Sequence, residues 1–144
     1  MKLSVRGDYG IRAVLDLARH YENGLVQSGD IASRQSIPEP YLHQLLLALR
    51  NAGLVRSVRG PRGGHALARD PESLTLAEVL EALEGPIAQD CSDDVAACAQ
   101  RDGCALRLVW RGVDQATKRI LSATTIAQLA SKQVGSPAGG MYHI

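Results

Sequence analysis

The residues best equipped for chemistry are Cys91, Cys98 and Cys104, the only cysteines in the chain. They fall within CSDDVAACAQRDGC, among acids and small residues unsuited to a hydrophobic core. Their spacing is Cys-x6-Cys-x5-Cys, so one loop can bring three soft ligands to one centre. Structural zinc sites usually carry Cys-x2-Cys pairs, absent here, whereas wider and irregular thiolate spacing suits an iron-sulfur cluster. A zinc site and unligated, metal-free thiols are the alternatives. A redox enzyme is disfavoured, because a resolving pair is normally Cys-x2-Cys beside a helix and nearby acids disfavour the thiolate. The chain is accordingly not read as an enzyme.

A two-iron or a four-iron cluster needs four external bonds, and three thiolates leave one open. Asp90, Asp93, Asp94 and Asp102 are local candidates, and Asp8 and the histidines His20, His43, His65 and His143 are distant ones. A small exogenous ligand would also serve. Asp8 has an ordinary explanation too, a carboxylate favoured in the first turn of a helix.

These ligands need a framework, and 144 residues suffice for a self-supporting core. MKLSVRGD lacks the apolar run of a signal peptide and no stretch is long enough to span a membrane, so a cytoplasmic protein without membrane association is expected. In a reducing compartment, an odd number of cysteines argues against a disulfide framework. The net charge of +1 conceals a sorting along the chain: about +5 over residues 1–69, −8 over 70–104 and +4 over 105–144. A basic working surface and a separate acidic module are implied.

Ser4 is placed to cap a helix with apolar positions Ile11, Val14, Leu15 and Ala18, ended by Asn23-Gly24. The apolar step Leu25-Val26 precedes a short helix from Gly29 to Gln35. After the turn IPEP comes a third helix with a Leu42, Leu45, Leu46, Leu49 stripe, stopped at Gly53. Leu54 to Val58 and His65 to Leu67 flank GPRGG as a hairpin, Thr75 caps a fourth helix, and Gly85-Pro86 stops it. A long helix from Ala105 to Leu121 bears two apolar stripes, one through Leu106, Val109, Trp110, Val113 and Ile120, the other through Leu108, Gly112 and Ala116. Two neighbours are expected for it. Thr125 caps a last helix, and residues 134–144, rich in Gly, Ser and Pro, are expected to form a flexible tail.

Three helices and a hairpin are the order of a winged helix-turn-helix, so the fold is mainly α with a small β-hairpin wing. Its third helix would present Pro40, Gln44, Leu47 and Asn51 opposite the leucine stripe, with His43 beside them. Gln44 can pair with an adenine edge. Leu47 has no assigned role beyond packing or a thymine methyl. Arg56, Arg59, Arg62 and Arg69 make the hairpin cationic, and a glycine-rich tip lets backbone approach a groove. The DNA-binding set is Pro40, Tyr41, His43, Gln44, Arg50, Arg56, Arg59 and Arg62. The absence of Phe leaves little for stacking single-stranded bases, so duplex DNA is the expected partner.

The opening KLSVRGDYGIRAVLDLA, the turn and helix IPEPYLHQLLLALRNAGLV, the wing SVRGPRGGHALARDP, TLAEVLEAL, and three cysteines before LVWRGV resemble the Rrf-type family of bacterial winged-helix regulators. The likeness runs from Met1 to about Gln133. It implies a homodimer on a palindromic operator, most often repressing. It also implies a winged helix-turn-helix domain over 1–84, an iron-sulfur loop over 85–104 holding Cys91, Cys98 and Cys104, and a dimerisation helix and terminal helix over 105–133. A four-iron cluster is favoured over a two-iron one. Gln44 and Arg59 match positions that touch DNA in the family, and His43 stands where another member carries an acid.

The fourth ligand separates branches of the family. In the IscR branch it is a histidine three residues after the third cysteine, where this chain has Arg107, which stays protonated and cannot ligate iron. In the NsrR branch it is an aspartate from the partner's first helix. Asp8 matches that position, so the resemblance implies an NsrR-like ligand set and a sensor of nitric oxide, redox or iron status.

Overall fold

In the computed structural model, residues 3–86 and 105–134 are described. Cys91, Cys98, Cys104, their acidic neighbours and the tail lie outside them.

Helix α1 (Val5–Arg19) begins where Ser4 Oγ accepts from the Gly7 amide at 3.0 Å. It ends earlier than Asn23-Gly24 suggests, because residues Tyr21–Asn23 tighten into a separate 3-10 turn before Gly24 takes a positive φ of 82°. Helix α2 (Ser28–Gln35) and helix α3 (Glu39–Asn51) follow, and the α3 leucine stripe is fully buried. Gly53, at φ 79°, turns the chain into strand β1 (Val55–Val58), which pairs antiparallel with β2 (Gly64–Leu67). Helix α4 (Leu76–Glu84) starts with a reciprocal box. Thr75 Oγ1 accepts from the Glu78 amide, and the Glu78 carboxylate accepts from the Thr75 amide.

Helix α1 is the hub, packing against α2, α3, α4, β2 and the last helix, α6 (Ile126–Val134). Its contact with α4 depends on two small residues. A methyl on Gly10 would stand 2.2 Å from Leu83 Cδ1, and one on Gly7 would meet Glu84. The same junction is held by Arg6 Nε donating to the Leu83 carbonyl at 2.7 Å and by Ser4 donating to Glu84. The start of α1 and the end of α4, from which the chain runs on to the cysteine segment, are therefore neighbours.

Helix α5 (Ala105–Ala123) and α6 behave differently. Ile126 and Ala130 of α6 enter the core beside α1, and Ile126 N donates to the Leu74 carbonyl at 2.8 Å. No residue of α5 is buried. Leu106, Leu108, Val109, Trp110, Val113 and Ile120 are all exposed in the single chain, Leu108 by 70%.

Candidate nucleic-acid interface

Helix α2 must hold still for α3 to present a surface, and one buried charge secures it. Asp16 of α1, 1% exposed, accepts two hydrogen bonds from Arg34, at 3.0 and 2.8 Å, and one from Gln35 at 3.0 Å. Burial alone would raise this carboxyl's pKa, but the bonds from Arg34 and Gln35 and the charges of Arg34 and His20 outweigh it and hold it below the ordinary value. Sequence reading missed this clamp. An Asp in an apolar helix stripe was the available signal, but its partners lie 18 and 19 residues away.

On the outer side of α3, Pro40, His43, Gln44, Leu47, Arg50 and Asn51 are exposed, as expected for a surface that faces a ligand. Leu47 remains 50% exposed, so packing within the chain does not account for it. Tyr41 is different: it is half-buried, its ring edge-on to Tyr9 at 5.9 Å. The Arg12 guanidinium lies 5.7 Å from the Tyr9 ring and pairs with Asp8 at 2.9 Å. Asp8 is thus linked through Arg12 and Tyr9 to the first turn of α3.

The wing carries Arg56, Arg59 and Arg62, all exposed. Arg69 is turned away, pairing with Glu78 of α4 at 2.8 Å, and leaves the basic surface. The wing is also better anchored than a free hairpin. Val26 and His65 exchange two backbone hydrogen bonds of 2.8 Å, and Gln27 donates to the Gly63 carbonyl. Leu25-Val26 was the sequence sign of this extra bridge. Gly63 and Gly64 serve it directly: a methyl on Gly64 would stand 2.7 Å from the Val26 oxygen, and one on Gly63 would stand 2.0 Å from the Val58 oxygen. Those glycines permit backbone packing inside the protein, while Gly60, at φ 111° with open space around it, forms the tip. His65 Nδ1 lies 2.7 Å from Ser57 Oγ, and burial, then the charges of His43 and Arg50, lowers its pKa.

Among the described residues, no group of three His, Cys, Asp or Glu side chains could hold a metal ion. Asp8 is brought together with Arg12 and not with any described metal ligand. No described helix is long and apolar enough to cross a membrane.

A family model, Rrf2, described as an iron-dependent transcriptional regulator, matches residues 3–132. The chain is 35% identical over 144 residues to the HTH-type transcriptional regulator CymR of Bacillus subtilis, covering all of both chains. The solved structure of that protein, titled the global cysteine regulator, superposes with a TM-score of 0.80 over 92% of this chain and 98% of that one. The chain is 34% identical over 143 residues to the transcriptional regulator IscR of Klebsiella pneumoniae, covering 99% of this chain and 88% of that one. The structure of T. potens IscR matches at 35% identity with a TM-score of 0.78, over 99% and 97% of the two chains.

Proposed function

The chain belongs to the Rrf2 family of winged-helix transcriptional regulators, and from that premise we propose that it is a homodimeric repressor whose operator binding depends on an iron-sulfur cluster. The observation that carries the reading is the juxtaposition at α1. Asp8 stands on the surface of α1, the helix that packs against both the reading helix α3 and the end of α4.

The donor set fits a cluster: three thiols with no partner pair at zinc-finger spacing, and a partly exposed carboxylate able to bond outside its own chain. Cys91, Cys98 and Cys104 would hold it together with Asp8 of the partner protomer, and a four-iron form is favoured. When bound, it supplies iron centres open to nitric oxide, oxygen or depletion. The chain's own residues turn that into a change at DNA. Asp8 engaged across the dimer is drawn from Arg12, Arg12 shifts on the Tyr9 face, and Tyr9 bears on Tyr41 at the start of α3. Two recognition helices whose spacing or tilt changes no longer match two half-sites. The exposed apolar face of α5 supports the dimer, because Leu106, Val109, Trp110 and Val113 are exposed among the described residues.

At the DNA, α3 enters the major groove with Gln44 and His43 at base edges and Pro40 and Arg50 near phosphates, while Arg56, Arg59 and Arg62 bring the wing to the minor groove. Tyr41 supports α3 from behind. A second reading, a metal-free or zinc-bound thiol regulator of the same fold, keeps the three thiols without the cluster.

Anaerobic purification separates them. The cluster reading expects brown protein with iron and sulfide in cluster ratio, losing colour and specific duplex binding together on exposure to nitric oxide. Colourless protein, with or without stoichiometric zinc, refutes it in favour of the second reading. Asp8→Ala is expected to weaken or alter the cluster spectrum with the fold intact; a spectrum and operator affinity equal to the parent's would remove Asp8 from the ligand set.

A further inference from the structure

His43 does not stand alone on α3. Its Nε2 lies 3.1 Å from Ser28 Oγ at the start of α2 and 3.7 Å from Glu39 Oε1 one turn earlier on α3. Ser28 Oγ is in turn 3.5 Å from Glu39 Oε1. That carboxylate sits over the start of α2, 3.8 Å from where a methyl on Gly29 would be, where the unpaired amides of a helix favour negative charge.

The donor count then orders the protons. A carboxylate only accepts, and a serine hydroxyl has one proton to give. With the Ser28 proton directed to Glu39, the Ser28 oxygen is left to accept, and His43 Nε2 must supply the N–H. The same N–H also faces the negative carboxylate, which favours it further. In that arrangement neutral His43 carries its proton on Nε2, and Nδ1 is a bare acceptor with no partner among the described residues.

In the major groove an acceptor meets a donor only at adenine N6 or cytosine N4; guanine O6 and N7 and thymine O4 accept. We propose that Ser28 and Glu39 lock His43 in the tautomer that presents Nδ1 as an acceptor, so that His43 selects adenine or cytosine at one position of each half-site. Ser28 and Glu39 are positioning residues, and His43 is the reader. The inference rests on α3 being the helix that enters the major groove.

The test is selection of bound duplexes from a randomised library at pH 8, using anaerobically purified parent, His43→Ala and Ser28→Ala. The position whose preference collapses in His43→Ala is the one that His43 reads. There the parent is expected to enrich adenine or cytosine over guanine or thymine by about five-fold, the scale of one discriminating hydrogen bond. Ser28→Ala, which removes the nearer of the two groups that face Nε2 and the one within hydrogen-bond distance, is expected to cut that preference to about two-fold or less while leaving every other position unchanged. Parent enrichment of guanine or thymine there, a His43→Ala profile equal to the parent's, or a Ser28→Ala profile equal to the parent's each overturns the proposal. A parent that enriches no duplex at all refutes the DNA-binding reading itself, an outcome distinct from these three.

Discussion

Removing either partner of the Asp16–Arg34 clamp should destabilise the protein, but by different amounts, because the two are buried to different depths. The carboxylate is 2% exposed at its side chain and the guanidinium 41%. Asp16→Ala discards three charge-assisted hydrogen bonds, each about 1.5–3 kcal/mol by mutational measure. Arg34, however, can turn to water. The expected net cost is about 2–3 kcal/mol. Arg34→Ala leaves the carboxylate in place with Gln35 as its remaining side-chain hydrogen-bond donor, and an orphaned buried charge costs about 3–5 kcal/mol. The double variant should resemble Asp16→Ala alone, since Arg34 then has nothing to hold. Urea unfolding at fixed protein concentration and pH 7 gives the three values. An Arg34→Ala cost below that of Asp16→Ala, or below about 1 kcal/mol, would refute the reasoning. The pH dependence has a definite sign. A carboxyl whose folded pKa is depressed contributes stability that is present above its unfolded pKa, about 3.9, and lost as pH falls through the folded one. In Arg34→Ala, burial dominates, so the loss should begin at a higher pH than in the parent.

Gly10→Ala should cost about 1–3 kcal/mol in the same unfolding assay, because its methyl meets Leu83 at 2.2 Å across the α1–α4 junction; a neutral result would mean that the junction slides freely. Val109→Glu places a charge on the exposed apolar face of α5 and should shift the protein from dimer to monomer by light scattering, with duplex affinity falling alongside. An unchanged mass would exclude that face as the dimer contact.

By itself the sequence determined what local rules can determine. Ser4 and Thr75 are caps, the α3 leucines are core, Gly53 ends α3, and GPRGG turns the hairpin, because each depends on neighbours within a few residues. It also determined the donor chemistry, three thiols and an Arg107 in place of a histidine, since ligand type is a property of the side chain. What the tertiary structure decided were pairings between distant residues. Arg34 looks like any surface cation in the sequence and Arg69 like one of the hairpin's cations, yet one clamps α1 to α2 and the other pairs with α4. Gly63 and Gly64 read as part of a glycine-rich tip that lets backbone approach a groove, and proved to be room for backbone at Val58 and Val26. Ile126 follows a long helix in the chain but returns to the core beside α1. Periodicity reports which face of an element is apolar and is silent about which other element covers it. Only the fold brings Ser28, Glu39 and His43 to one point.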